Sequence, residues 1–83
     1  MLKIIFSAHA LFQTKERKIS KKSVIETIKN PDKILTQDNF RKRALRIFEK
    51  NKKKYLLVVV YEENRTTINI VTTFITSKLK KYS

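Results

Sequence analysis

The sequence predicts one α+β domain over residues 1–83, in which an antiparallel sheet carries two helices packed on one face. Apolar residues recur with a helical period between residues 8 and 30. The second half instead alternates apolar and polar residues around the run "YLLVVVY", a pattern typical of strands. Eighty-three residues are enough to bury one core of this kind and not two.

The first half predicts a strand followed by two helices. "LKIIF" is β-branched and aromatic, which favours a short strand. Ser7 is a good N-cap for a helix through "AHALFQTKER", whose apolar face carries Ala8 and Phe12. Ser20 is the predicted N-cap of "KKSVIETIKN", which ends at "NPD" because the residue before a proline avoids the helical region. "KILTQDNF" then connects the layers, as a loop or a short edge strand.

The second half predicts a β-meander and completes a β-α-α-β-β-β order. "RALRIFE" alternates, with Arg46 on the face that we expect to point away from the helices. "YLLVVVY" is apolar on both faces, which is typical of a central strand. "EENR" is the predicted hairpin turn, with Asn64 at a left-handed position where glycine is absent. In the last strand, "TTINIVTTFIT", Phe74 is predicted to share a face with Ile70, and "SKLKKYS" follows as a basic tail.

The charge balance is the strongest global feature of the chain. Twenty Lys and Arg face seven Asp and Glu, for a net charge of +13. Such an excess of positive charge opposes folding through self-repulsion and usually accompanies a polyanionic partner. Nucleic acid is the expected partner. A lysine-rich thermophilic surface is the alternative, but such surfaces normally balance lysine with glutamate.

The residue types that are missing exclude several kinds of chemistry. With no Gly the chain has no glycine-rich nucleotide loop, and with no Cys and one His a metal site of the structural zinc type is not expected. We therefore expect no cofactor. The longest apolar run is too short to span a bilayer and no secretory signal is visible, so the expected location is cytoplasmic and away from membranes. A sheet this small also offers little enclosed volume for a metabolic substrate.

The first candidate site lies on the first predicted helix. His9, Gln13 and Arg17 are spaced by four residues, which places them on one helical face. Histidine is suited to exchange a proton near neutral pH, and arginine holds a phosphate bidentately. The alternative is an ordinary polar boundary between core and solvent, which is common on such helices.

Two further clusters of basic and hydroxyl residues follow in the second half. Arg41, Arg43 and Arg46 enter one predicted strand, and Tyr55 begins the next, where its ring could stack on a base. The lysines at 52–54 are better explained as a solvent-exposed turn than as part of a binding site. The last cluster lies just past the sheet, where its hydroxyl and amine groups could hold phosphate oxygens. The alternative is a frayed basic tail. It consists of Thr73, Ser77, Lys78, Lys81 and Tyr82.

Three stretches together resemble a small family known only as a domain of unknown function: "SAHALFQTKERKIS", "VIETIKNPDKI" and "LLVVVYEENRTTINIVTTFITSKLKKY". Its members typically contain Ser-x-His-Ala, an Arg four residues after the His, another Arg four later, and then Ile-Ser. Such proteins are similar to RelE/ParE toxins, compact β-α-α-β-β-β folds that cleave RNA or poison gyrase. The chain departs from the pattern at Gln13, where the family's first Arg would stand. The resemblance implies signature positions at His9, Arg17, Thr73, Ser77 and Lys78.

We therefore expect a toxin-like, metal-independent ribonuclease with a RelE-like fold. His9 would transfer protons, Arg17 and Arg46 would stabilise the phosphate, and Lys78 would add charge. The expected partners are RNA, free or bound to the ribosome, and an acidic antitoxin protein. A non-catalytic nucleic-acid-binding module of the same fold, or a module that chiefly binds such a partner protein, is the alternative. The predicted RNA-binding residues are Gln13, Arg41, Arg43, Tyr55, Thr73, Ser77, Lys81 and Tyr82.

Overall fold

The computed structural model describes residues 3–36 and 41–79, which form a five-stranded sheet with both helices on one face. The α+β class is confirmed. Along the chain the elements are β1 (Lys3–Phe6), α1 (Ala8–Glu16), α2 (Lys21–Lys29), β2 (Lys33–Thr36), β3 (Arg41–Lys50), β4 (Lys53–Glu63) and β5 (Thr67–Thr76). Across the sheet the strands follow the order β1-β5-β4-β3-β2, so the first strand lies at one edge.

The sheet is mixed, so the predicted all-antiparallel arrangement is wrong. β1 pairs with β5 in parallel, from Lys3 opposite Thr67 to Phe6 opposite Ile70, whereas the other three strand pairs are antiparallel. The strand count also rises by one, because residues 33–36 of "KILTQDNF" form the edge strand β2. The rest of that segment, residues 37–40, lies outside the described residues.

Both helices begin where the serine caps predict. The Ser7 Oγ accepts a hydrogen bond from the Ala10 N–H, and the Ser20 Oγ accepts one from the Ser23 N–H, each at 3.0 Å. The end of α1 is closed by Lys18, whose φ of 56° is left-handed. Such a turn is usually made by glycine, which this chain lacks.

The buried face of α1 differs from the predicted one. Ala10 and Thr14 are buried, whereas Phe12 is 64% exposed and Ala8 is also exposed. Helical periodicity alone favoured the large apolar side chain. In the structure the orientation of α1 also lets Gln13 reach the backbone of β5, so polar contacts help to decide which face turns inward.

The central strand β4 supplies both halves of the core, as its two-sided apolar run predicts. On the helical face Leu57, Val59 and Tyr61 pack with Ala10 and Val24. The opposite face carries a second buried cluster, against which Phe74 and Leu79 pack. Its buried members are Leu45, Leu56, Val58 and Val60.

A bulge in β5 reverses the side-chain pattern of that strand. Val60 pairs with Thr72 but Tyr61 pairs with Ile70, so Val71 is an extra residue in the ladder. After Val71, the side chains of β5 therefore point to the sheet faces opposite to those that simple alternation predicts. The prediction that Phe74 shares a face with Ile70 is therefore wrong, because Phe74 packs in the cluster on the other side.

The predicted left-handed backbone at Asn64 is also wrong. Positive φ values among the described residues occur at Lys18, Asn51 and Lys52. Asn64 shapes its turn through its side chain, whose Oδ1 accepts from the backbone N–H groups of Thr66 and Thr67 at 3.0 and 2.8 Å.

Replacing Lys52 by glycine is expected to stabilise the protein by about 0.5–1 kcal/mol. Lys52 has a φ of 66° in the two-residue turn between β3 and β4, where glycine carries no Cβ penalty. Thermal unfolding should show a midpoint higher by a few degrees. The matched Lys53→Gly variant places the same change inside β4 and should lower the midpoint. Equal effects of the two changes would contradict this account.

Candidate functional site

The outer edge of β5 is the starting point of the site. β1 covers this edge only as far as Ile70, and no described strand pairs with it beyond that point. Its backbone groups therefore need other partners. The first comes from the cap of α1, since the Ser7 Oγ donates to the Val71 carbonyl at 3.2 Å.

Two polar residues of α1 continue this pairing along β5. The Gln13 Oε1 accepts from the Thr73 N–H at 3.2 Å and also from the Thr72 hydroxyl. One turn further, the Arg17 Nη1 donates to the Thr73 carbonyl at 3.1 Å. Side chains from α1 and its two caps thus hydrogen-bond to the part of the β5 edge that no described strand covers. The predicted shared face of Gln13 and Arg17 is real, and it lies against the sheet edge.

Beside this edge lies a shallow opening of about 420 Å³, which we call the edge cavity. Gln13 and Arg17 line it from α1, Thr72 and Thr76 from β5, and Lys78 from the segment after β5. The Thr76 Oγ1 accepts from the Lys78 N–H at 3.0 Å, which fixes the chain direction there. The edge cavity therefore combines two cations with hydroxyl and amide groups.

A larger opening of about 560 Å³, the inner cavity, lies on the helical face of the sheet. It is bounded by the α1–α2 turn on one side and by the β3–β4 hairpin on the other. From the part of the chain that the structure describes, four cations line it: Arg17, Lys18, Arg46 and Lys50. Arg17 and Ile75 line both cavities, so the two openings adjoin at these residues.

The position of Arg46 corrects a prediction. Arg46 lies on the helical face, where its Nη1 stands 3.4 Å from the Glu26 Oε2 of α2, and not on the face away from the helices. Alternation places Arg46 with Ala44, and the fully buried Ala44 belongs to the helical core. The ion pair is half exposed and contributes little to stability. Among the described residues, Glu26 is the one acid that lines either cavity.

His9 is exposed in the first turn of α1 and lines neither cavity. Helical spacing places it one turn before Gln13, on the face that follows the edge of β5. The structure thus brings together Gln13, Arg17 and Lys78 at the edge cavity, whereas His9 lies outside it, one helical turn from Gln13.

Several predicted residues lie elsewhere. Arg41 and Arg43 are on the sheet face opposite the cavities, and Arg41 pairs with Glu62 at 2.7 Å. Ser77 is exposed between two residues of the edge cavity without lining it. Thr73 is buried and acts through its backbone, and its Oγ1 has no partner among the described residues. Lys81 and Tyr82 lie outside the described residues.

Tyr55 lines the inner cavity, together with a residue that sequence reasoning missed. Phe48 faces Tyr55 across the β3–β4 ladder, with ring centroids 5.7 Å apart and an interplanar angle of 27°. The signal was present, since a two-residue turn at 51–52 fixes this register. Sequence reasoning also missed three residues that line the inner cavity, because the way in which the helices cross the sheet decides which residues meet there. They are Lys18, Glu26 and Lys50.

Within residues 3–36 and 41–79, no group of three or more His, Cys, Asp or Glu side chains is placed to hold a metal ion. No described helix is long and apolar enough to cross a membrane.

Fold and site together define a small α+β domain with a five-stranded mixed sheet and two adjoining, cation-lined cavities. Residues 6–75 match the model of a family described as a domain of unknown function (DUF4258). The chain belongs to this family. No curated protein and no solved structure matches the chain. The resemblance to a family of unknown function is thereby confirmed, and the further likeness to RelE/ParE toxins stays a prediction.

Proposed function

We propose that this domain is a toxin-like ribonuclease that binds an RNA strand across the two cavities and cleaves it without a metal ion. The observation that carries the proposal is the convergence of Arg17, Arg46 and Lys78 on adjoining openings. These cations come from the end of α1, the middle of β3 and the segment after β5. Such convergence of distant positive charges is what a strand of phosphates requires.

The electrostatics of the lining supports an anionic ligand. Arg17, Lys18, Arg46 and Lys50 line the inner cavity, where Glu26 is the only acid within residues 3–36 and 41–79 that opposes them. Arg17 is already held through its bond to the Thr73 carbonyl, which leaves most of its five N–H donors for a phosphate. Holding the guanidinium in place lowers the entropy lost when the phosphate binds.

The proposed chemistry is attack of a ribose 2′-oxygen on the adjacent phosphorus. The 2′-hydroxyl gives its proton to a base as the new P–O bond forms, and the 5′-oxygen leaves and takes up a proton. The products are a 2′,3′-cyclic phosphate and a 5′-hydroxyl. We assign acceptance of the 2′-hydroxyl proton to His9, whereas water gives the proton that the 5′-oxygen takes up. The stabilisation of charge on the phosphorane is assigned to Arg17 and Lys78.

A second candidate is a non-catalytic RNA-binding module. It is favoured by the position of His9 outside both cavities and by the structural task of Gln13, whose side chain pairs with the β5 backbone. Such a module would still bind phosphates through the same cations.

The two candidates separate in one assay. Purified protein is incubated with end-labelled RNA alone in EDTA, and separately with translating ribosomes in the Mg²⁺ buffer that they require, and the fragments are analysed for cyclic phosphate ends. Cleavage with such ends in either condition supports the ribonuclease. Salt-dependent binding without cleavage identifies the binding module, with a slope of about 0.7 log units for each phosphate neutralised on a single strand. Neither binding nor cleavage would overturn both.

A further inference from the structure

The floor of the inner cavity is apolar and aromatic, although its rim is cationic. Phe48 and Tyr55 form a stacked pair on neighbouring strands, and Leu57 and Ile75 continue the surface. Ile75 remains 37% exposed there. Phosphate binding alone would not require such a floor.

The floor is open because the helices cover only part of the sheet. Ala10 and Val24 pack with Val59 and Tyr61, toward the far end of β4 from the 51–52 turn. The end of β4 that carries Tyr55 is left under the gap between the α1–α2 turn and the β3–β4 hairpin. Apolar surface held open in this way marks a binding site more often than it does ordinary solvent-facing sheet.

The wall of the cavity adds hydrogen-bonding groups. Ser20, Ser23 and Thr27 line it from the start of α2. The Ser20 and Ser23 Oγ atoms share one hydrogen bond at 2.8 Å, so one of their two hydroxyl protons is available to an acceptor. The cavity thus has an apolar, aromatic floor and a polar side.

We propose that the inner cavity binds one unstacked base of single-stranded RNA, next to the phosphate held at Arg17. The inference rests on the proposed RNA binding and adds the substrate class, a single strand. A nucleobase has an apolar face that stacks on aromatic rings and a polar edge that hydrogen-bonds, which matches the floor and the wall. The volume of about 560 Å³ lies within the usual range for small-ligand sites.

This arrangement excludes duplex RNA from the cavity. Bases in an A-form helix are stacked and paired. The major groove of that helix is deep and narrow and does not admit protein side chains. Arg17 stands where the inner and edge cavities meet, so a strand that places one base on Tyr55 can place the adjoining phosphate between Arg17 and Lys78.

The test measures binding without cleavage, using fluorescence anisotropy of a 2′-O-methyl RNA hexamer. The same hexamer with one central abasic residue, and a blunt-ended RNA duplex without a loop, serve as comparison ligands. Wild-type protein is expected to bind the intact hexamer about tenfold more tightly than the abasic one. Tyr55→Ala should lose about the same factor and no longer distinguish the two hexamers, whereas Tyr55→Phe should behave as wild type.

A second pair of variants guards against misfolding. Ile75→Ala should weaken binding several-fold, because Ile75 contributes to the floor. Ile47→Ala removes a similarly exposed isoleucine, at 49% against 37%, from the opposite face of the sheet and should leave binding unchanged. Thermal unfolding of all variants checks that they are folded.

The outcomes separate this inference from the proposed function. Equal affinity for intact and abasic hexamers, or equal affinity for the duplex, would overturn the base site even if natural RNA is cleaved. Base-dependent binding together with no cleavage of natural RNA would keep the base site and remove the ribonuclease. Absence of any RNA binding would remove both.

Discussion

His9→Ala is expected to cleave RNA at least about 100-fold more slowly than wild type, with nearly unchanged RNA affinity. His9 is exposed in the first turn of α1 and makes no hydrogen bond to a described residue, so its removal should shift stability by no more than about 0.5 kcal/mol. Its expected contribution is to the transition state, where the 2′-hydroxyl loses its proton. Single-turnover cleavage, anisotropy with the uncleavable hexamer, and thermal unfolding measure the three quantities separately.

Lys15→Ala is the matched control for His9→Ala. Lys15 lies on the same helix, is exposed, and lines neither cavity. This variant should lose no more than a small, salt-sensitive part of the affinity and keep its cleavage rate. If His9→Ala cleaves RNA as fast as Lys15→Ala, the proton-transfer assignment is wrong.

Local features of the fold were predictable from the sequence. Ser7 and Ser20 begin both helices, because a serine cap acts on backbone groups only three residues away. The two-sided apolar run of β4 also indicated its central place. The parallel pairing of β1 with β5 was not predictable, because it joins segments more than sixty residues apart and no local signal specifies it.

The bulge at Val71 shows how one inserted residue makes a prediction from strand alternation wrong. Side chains alternate strictly along a strand, so an inserted residue exchanges the faces of everything after it. Bulges are often marked by glycine, and this chain has none. The assignment of Phe74 therefore depended on pairing that only the structure supplies.

The site was predictable where it depends on one element. A spacing of four residues correctly placed Gln13 and Arg17 on one face of α1. Alternation in β3 separated Arg46 from Leu45 but could not say which face the helices cover. That choice is set by packing, in which the small, fully buried Ala44 belongs to the helical core.

Gln13 stands where the resemblance drawn from the sequence predicts an arginine, and its contacts explain why a glutamine suits this chain. Its Oε1 accepts hydrogen bonds from the Thr73 N–H and the Thr72 hydroxyl. An arginine has no acceptor, so it could not make these bonds. In this chain the residue therefore stabilises the edge of β5, and Arg17 supplies the cation that α1 contributes to the cavities.

Arg17→Ala is expected to show the largest combined loss, with cleavage slower by about 100- to 1,000-fold and RNA affinity reduced about tenfold. Arg17 lines both cavities, so in the proposed complex it would contact the strand where phosphate and base meet. The variant also loses the hydrogen bond to the Thr73 carbonyl, which should lower the free energy of unfolding by about 1 kcal/mol. Chemical denaturation measures that loss separately from single-turnover cleavage and anisotropy.

Arg17→Lys decides whether charge alone accounts for this effect. An ammonium group restores the charge but cannot donate to the Thr73 carbonyl and hold a phosphate bidentately at the same time. We therefore expect Arg17→Lys to recover most of the salt-dependent affinity and little of the cleavage rate. Full recovery of cleavage would show that a point charge at the junction of the cavities suffices, and that anchoring the guanidinium to β5 serves the fold and not the reaction.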